Sequence, residues 1–312
     1  MKKEDLKVIF MGTPDISAYV LKAMVEDGYN IIGVIAQPDK PVGRKGELEK
    51  VPTKVVAESF NIPVYQPIKI RNDFEFVKEL NPDIIITLAY GQIVPQGLLD
   101  IPKYGCLNLH GSLLPKYRGA APIQYALING DKATGMTLME MVKAMDAGRM
   151  YAKKEVVIDE EDNATSLFAK MGEAAKDLIL EKLPEYIDGK LPGEEQDESL
   201  VSFCPTIKPE QEKLSLNYSA SQMLGWIKGL SDHPGAYFLL EGQKFKIYKA
   251  KLYSSEVTSE VGTIVQADKR GLILQCKDGQ LALLEVQKEG KKRMDFKSFL
   301  NGNQNILGKK LD

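Results

Sequence analysis

Asn108 and His110 stand two residues apart at the end of the apolar run Cys106-Leu-Asn-Leu-His110. In a strand, residues two apart share a face, about 7 Å from each other at about 3.3 Å rise per residue. An amide and an imidazole so placed could donate to one carbonyl oxygen and stabilise the negative charge that develops on it. The plain alternative is a structural histidine whose nitrogens are satisfied within the fold. Three features favour chemistry. The pair ends what reads as a parallel strand, and open α/β sheets place their ligand crevice at the carboxyl ends of strands. Two polar side chains on one buried face are costly without partners. The chain then turns abruptly at Gly111. Asp146, set between small residues in Met145-Asp-Ala-Gly148, reads either as a turn aspartate or as a carboxylate leaning on His110. In the second reading it favours the imidazolium and takes up protons through water. Cys106 shares the face, but roughly 13 Å of strand separates it from His110. A Cys–His pair needs hydrogen-bond reach, so Cys106 reads as core.

The elements that must position these groups alternate. Val8–Met11, Ile31–Ala36, Ile84–Leu88 and Cys106–His110 read as buried strands. Between them, Ile16–Gly28, Thr53–Phe60 and Asp73–Leu80 carry helical periodicity. This pattern implies βαβ units and an α/β, doubly wound, mostly parallel sheet. Met136–Met141 and Tyr151–Ile158 read as further strands, and Asn163–Leu183 as an amphipathic helix. From Asp188 to Pro209 the chain turns polar and rich in Gly and Pro, as a linker does. Then Ser219-Ala-Ser-Gln222 forms a capping-box pattern before a helix. Short strands follow, at Ala236–Leu240, Phe245–Tyr253, Leu272–Cys276 and Leu281–Val286, with a late helix at Phe296–Leu300. They suggest a small OB-like β-barrel. The expected domains are 1–188, a linker at 189–208, and 209–312.

A 312-residue chain with 44% hydrophobic and 27% charged residues fits about two globular domains. The net charge of −2 hides an asymmetry: residues 205–312 hold 17 basic and 12 acidic side chains, a net of +5. A basic half raises the case for a polyanionic partner, against the plain reading of surface scatter. Three isolated cysteines argue for a reducing compartment and against a disulfide framework. No run approaches the length of a membrane span, so a cytoplasmic protein is expected.

Gly12-Thr-Pro-Asp15 has one glycine where a dinucleotide fold carries three, so the segment reads as a tight strand-to-helix turn rather than an NAD site. No Walker lysine motif occurs. The long basic loop Gln37–Lys50 includes Arg44 and Lys45 and follows a strand on the same sheet edge as His110. It is either a solvated loop or a cationic cover for an anionic substrate. Lys288-Glu-Gly-Lys-Lys-Arg-Met294 is either a solvated charge run or a grip on phosphates.

Asn108, His110, Ser112-Leu-Leu-Pro115, Arg118-Gly-Ala-Ala-Pro122 and Met145-Asp-Ala-Gly148 together resemble the methionyl-tRNA formyltransferase family. Gly12-Thr-Pro, Ala89-Tyr-Gly-Gln-Ile-Val-Pro95, Pro234-Gly-Ala-Tyr237 and Gln287–Met294 extend the resemblance over nearly the whole chain. It implies a formyltransferase domain followed by an OB-like domain that supports tRNA. It also implies formyl transfer from 10-formyltetrahydrofolate to the α-amine of methionyl initiator tRNA, by a monomer that needs no metal. Asn108, His110 and Asp146 match the family's catalytic trio. Ser112, Leu113, Leu114 and Pro115 match its folate-contacting turn, Ile93 and Val94 its pterin pocket, and Arg44 and Lys45 its tRNA-entering loop. Ser215-Leu216, Ile16 and His233 depart from the family pattern. A sugar-nucleotide N-formyltransferase or a formyl-folate hydrolase could use the same trio. A catalytically dead RNA-binding protein is the rival of another class.

Overall fold

A computed structural model describes residues 2–42 and 46–312. Its first compact unit comprises residues 1–120, 134–157 and 168–204; the second comprises 121–133, 158–167 and 205–312.

The first unit is organised by a seven-stranded sheet. From one edge its strands run Met150–Val157, Ala133–Glu140, Cys106–His110, Ile84–Leu88, Lys7–Gly12, Asn30–Ile35 and Val64–Tyr65. The last five pair in parallel. Ala133–Glu140 runs antiparallel to Cys106–His110. Ile84–Leu88 is buried at every position, as an apolar run covered on both faces requires. Helices Asp15–Glu26, Pro52–Ser59 and Glu75–Leu80 occupy the stretches where helical periodicity is read. The two-residue edge strand Val64–Tyr65 and the short helix Gln96–Leu99 have no such local signal.

One face of this sheet explains where the polar pair sits. Ile9, Met11, Ile35, Ile85 and Cys106 join Val94, Leu98 and Leu99 in one apolar cluster. Ile85 and Cys106 are register partners and both belong to it. Two residues further along each strand, Thr87 pairs with Asn108. Alternation puts both on the same face, near the carboxyl ends of their strands.

The second unit holds an antiparallel sheet ordered Ala236–Leu240, Gln243–Ser254, Gly279–Lys288, Gly271–Cys276 and Ile264–Asp268, with Met294–Asp295 paired to Gly279–Lys288. Helix Ala220–Leu230 begins as its sequence signals: the Ser219 hydroxyl accepts from the Gln222 amide, and the Gln222 side chain accepts from Ser219 N–H. Trp226 stacks on Tyr218 at 6.2 Å and meets Tyr125 edge-on at 6.5 Å. Gly225 lets this helix approach residues 121–133 closely, because a Cβ there would lie 2.3 Å from the Ile128 carbonyl oxygen.

Two features differ from the sequence reading. Residues 189–204 are not loose connection: Phe203–Cys204 pairs in parallel with Arg118–Gly119, and Gln196 is buried. The acidic run Asp159–Asp162 packs with the second unit, where Lys228 Nζ donates to the Glu160 carbonyl and Lys249 pairs with Glu161 at 2.8 Å. Counted as a compact unit, this half carries 18 basic and 17 acidic side chains. Its basic character is therefore local, around Lys288–Arg293, rather than global.

Candidate active site

Asn108 and His110 leave the Cys106–His110 strand on one face, as the spacing requires. Asn108 is half-buried, and its amide has no hydrogen-bond partner among the described residues. His110 is 5% exposed. Its Nε2 lies 2.8 Å from the Tyr117 carbonyl oxygen, so Nε2 must be the donor there. Its Nδ1 lies 3.6 Å from Asp146 Oδ1. A second proton on Nδ1 would turn that approach into an ion pair. Both ring nitrogens thus face acceptors of the protein, whereas Asn108 presents an uncommitted donor. For His110 to share an oxygen with Asn108, Nε2 must exchange the Tyr117 carbonyl for that oxygen.

Asp146 is held at two points. Its Oδ2 accepts from Gly119 N–H at 2.9 Å. Its carbonyl accepts from Gln196 Nε2 at 2.7 Å, and the same amide also donates to Gly148 O at 2.9 Å. The Gln196 Oε1 accepts from Arg118 Nε at 3.0 Å, and Arg118, itself buried, pairs with Glu198 at 2.7 Å. Asp146 adopts φ +50°, a left-handed conformation that Asp tolerates better than most residues. Gly119 has φ +128°, and a Cβ there would sit 2.4 Å from the Cys204 carbonyl oxygen. Gly119→Ala is therefore expected to destabilise the fold by about 2–3 kcal/mol. It should also slow turnover by displacing the N–H that orients Asp146. Thermal unfolding and steady-state kinetics check this; wild-type values for both would contradict it.

The turn after His110 is fixed from within. Ser112 Oγ donates to Lys116 O at 2.6 Å, while Thr137 Oγ1 donates to Ser112 O at 2.6 Å and accepts from Leu114 N at 3.2 Å. Leu114 packs on Met139 and Met150. Ser112 and Leu114 thus spend their side chains on the fold, while Leu113 and Pro115 stay half-buried. Ile93 is 81% exposed, whereas Val94 belongs to the apolar cluster. Burial pushes the Cys106 thiol up to about 12, which suits core rather than nucleophile. Arg44 and Lys45 lie outside the described residues. The hairpin legs Lys40–Val42 and Glu47–Glu49 flank them, and Asp39 at their root pairs with Lys54 at 2.6 Å.

Thr87, Tyr117, Gly119 and Gln196 carry no role in the sequence reading. Thr87 is 4% exposed and its Oγ1 has no hydrogen-bond partner among the described residues. Leaving a buried hydroxyl unpaired costs about 1–3 kcal/mol. Among the described residues no group of three His, Cys, Asp or Glu side chains could hold a metal ion, and no helix is long and apolar enough to cross a membrane.

Comparison with known proteins defines the class first. A family described as formyl transferase matches residues 6–183, and its C-terminal domain matches residues 206–304. The methionyl-tRNA formyltransferase of Lactobacillus acidophilus is 48% identical over 297 residues, 95% of each chain. That of Malacoplasma penetrans is 43% identical over 96% of this chain and 94% of its own. The chain belongs to the methionyl-tRNA formyltransferase family. Among solved structures, an N-formyltransferase from Helicobacter canadensis, in complex with folinic acid and dTDP-3-aminofucose, has a TM-score of 0.69 at 18% identity, covering 91% of this chain and 99% of that one. HypX from Aquifex aeolicus with tetrahydrofolic acid has a TM-score of 0.66 at 15% identity; 96% of this chain spans 48% of that one. These two likenesses are of fold alone.

Proposed function

We propose that the chain transfers the formyl group of 10-formyltetrahydrofolate to the α-amine of methionyl initiator tRNA. The observation that carries this reading is an uncommitted Asn108 amide beside a His110 ring that faces Asp146, at the carboxyl ends of parallel strands. Family membership over nearly the full length supports it. The donor fits this edge: no hydrogen bond engages the half-buried Asn108 amide among the described residues, and Ile93 is exposed. Bound there, the folate supplies an activated formyl carbon.

Asn108 Nδ2 donates to the formyl oxygen as negative charge grows on it. His110, protonated and paired with Asp146, adds a second donor by releasing the Tyr117 carbonyl. Asp146 accepts the proton that the attacking amine must lose, through water, and the same water returns a proton to N10 of the folate as its bond to the formyl carbon breaks and tetrahydrofolate leaves. Ser112–Pro115, Ile93 and Val94 border the donor, with Leu113, Pro115 and Ile93 offering side chains and the others backbone. No covalent enzyme intermediate and no metal enter this scheme.

Arg44 and Lys45 meet the acceptor end of the tRNA. The antiparallel second unit acts as an OB-like support for the rest. A concavity of about 380 Å³ lined by Lys288, Glu289, Lys291, Lys292, Ser298 and Asn303 sets three cations against one carboxylate, a local basic surface suited to phosphates. The protein acts as a monomer in the cytoplasm.

The test supplies 10-formyltetrahydrofolate with methionyl initiator tRNA, with a dTDP-amino sugar, or with water alone as acceptor. Formylation of the tRNA supports the reading. Turnover only with the sugar or with water replaces it with one of those activities. RNA binding without turnover makes it a binding protein.

A further inference from the structure

We propose that Thr87 is a positioning residue for Asn108, a role that rests on the reading of Asn108 given above. Thr87 and Asn108 are register partners on neighbouring parallel strands, so their side chains stand side by side on one face. The third strand of this face presents Met11 opposite Thr87, an apolar neighbour that offers the hydroxyl nothing. The Thr87 hydroxyl is buried and has no partner among the described residues. The nearby hydroxyls of Ser112 and Thr137 are committed to backbone carbonyls.

A primary amide has two donors on nitrogen and one acceptor oxygen. Catalysis by Asn108 requires Nδ2 to face the formyl oxygen. That orientation is fixed only if Oδ1 is held by a donor on its other side. Thr87 Oγ–H is a donor on the adjacent strand with no competing acceptor. Its burial is a liability to the resting fold that is relieved when Asn108 turns to the substrate. Valine has nearly the same shape and lacks the hydroxyl, so Thr87→Val removes the donor and the liability together.

The experiment compares Thr87→Val, Thr87→Ser, Asn108→Ala and the double variant Thr87→Val/Asn108→Ala. It reads kcat, KM for the formyl donor, and thermal unfolding without substrate. Thr87→Val is expected to lower kcat about tenfold, the loss of one hydrogen bond, with the donor KM within about twofold. Its Tm should rise, because a buried unpaired hydroxyl is gone. Thr87→Ser should recover most of the rate. In the Asn108→Ala background, Thr87→Val should cost nothing further, since the group it orients is absent. A Thr87→Val enzyme with wild-type kcat, or with a lowered Tm, overturns the proposal; so does a rate loss that persists without Asn108. If Asn108→Ala itself turns over at the wild-type rate, the reading of the whole site fails, an outcome distinct from failure at Thr87 alone.

Discussion

Asp146→Asn is expected to lower kcat about a hundredfold or more, the scale of a lost acid–base group, while the protein stays folded. The substitution keeps shape and suits the backbone, since Asn, like Asp, tolerates the φ of +50° at this position. What changes is charge and hydrogen-bond polarity. Asp146 offers one oxygen to Gly119 N–H at 2.9 Å and the other to His110 Nδ1 at 3.6 Å. An amide can satisfy only one of these as an acceptor and turns its NH2 toward the other. Either Gly119 N–H loses its partner or the ring meets a donor where it had a carboxylate. The contacts from Gln196 go to backbone carbonyls and survive. Steady-state kinetics beside circular dichroism checks this. Turnover within a few-fold of wild type would show that the carboxylate has no part in proton movement.

His110→Ala should be at least as damaging, on the order of a hundredfold or more in kcat. It also empties a buried position and takes the ring N–H donor from the Tyr117 carbonyl, which keeps the Cys204 thiol at 3.3 Å. Part of any loss could then be structural. His110→Gln separates the two causes. Its amide nitrogen can replace Nε2 toward Tyr117, so stability should largely return. A neutral amide cannot carry the second proton that faces Asp146, so the rate should not return. If His110→Gln restored both, the imidazole would be serving the fold alone.

Much of the first sheet is legible in the sequence because its strands are short apolar runs bounded by turn residues. Ile84–Leu88 and Cys106–His110 have the same limits in the sequence reading and in the structure. The shared face of Asn108 and His110 follows from the two-residue repeat of a strand. The clamp around Asp146 does not follow from any local pattern. Gln196 lies fifty residues from Asp146, in an acidic, proline-rich stretch that looks like connection, and its role arises only when Phe203–Cys204 pairs with Arg118–Gly119. Tyr117 acts through a backbone carbonyl, which leaves no mark on residue type. Charge along the chain is redistributed on folding for a related reason. Counting along the chain gives the C-terminal stretch a net of +5, but folding adds Asp159–Asp162 to that unit. What remains basic is a local surface at Lys288–Arg293.

Thr87 shows the opposite case, where a residue unremarkable in sequence becomes informative once its neighbours are known. Threonine is a common strand residue, and its β-branch alone accounts for its place between Ile86 and Leu88. Only the register with Asn108 and the unpaired hydroxyl give it a chemical meaning.

The central claim is that the Asn108 amide stabilises charge on the formyl oxygen rather than anchoring the donor. The most direct test is the single-turnover rate of Asn108→Ala with saturating formyl donor and methionyl initiator tRNA, measured beside the affinity of the variant for the donor. Loss of one such donor typically costs about 2.7–4 kcal/mol of transition-state stabilisation, so the rate should fall about a hundredfold or more with donor affinity nearly unchanged. A rate close to wild type, or a loss that appears wholly as weaker donor binding, would contradict the account.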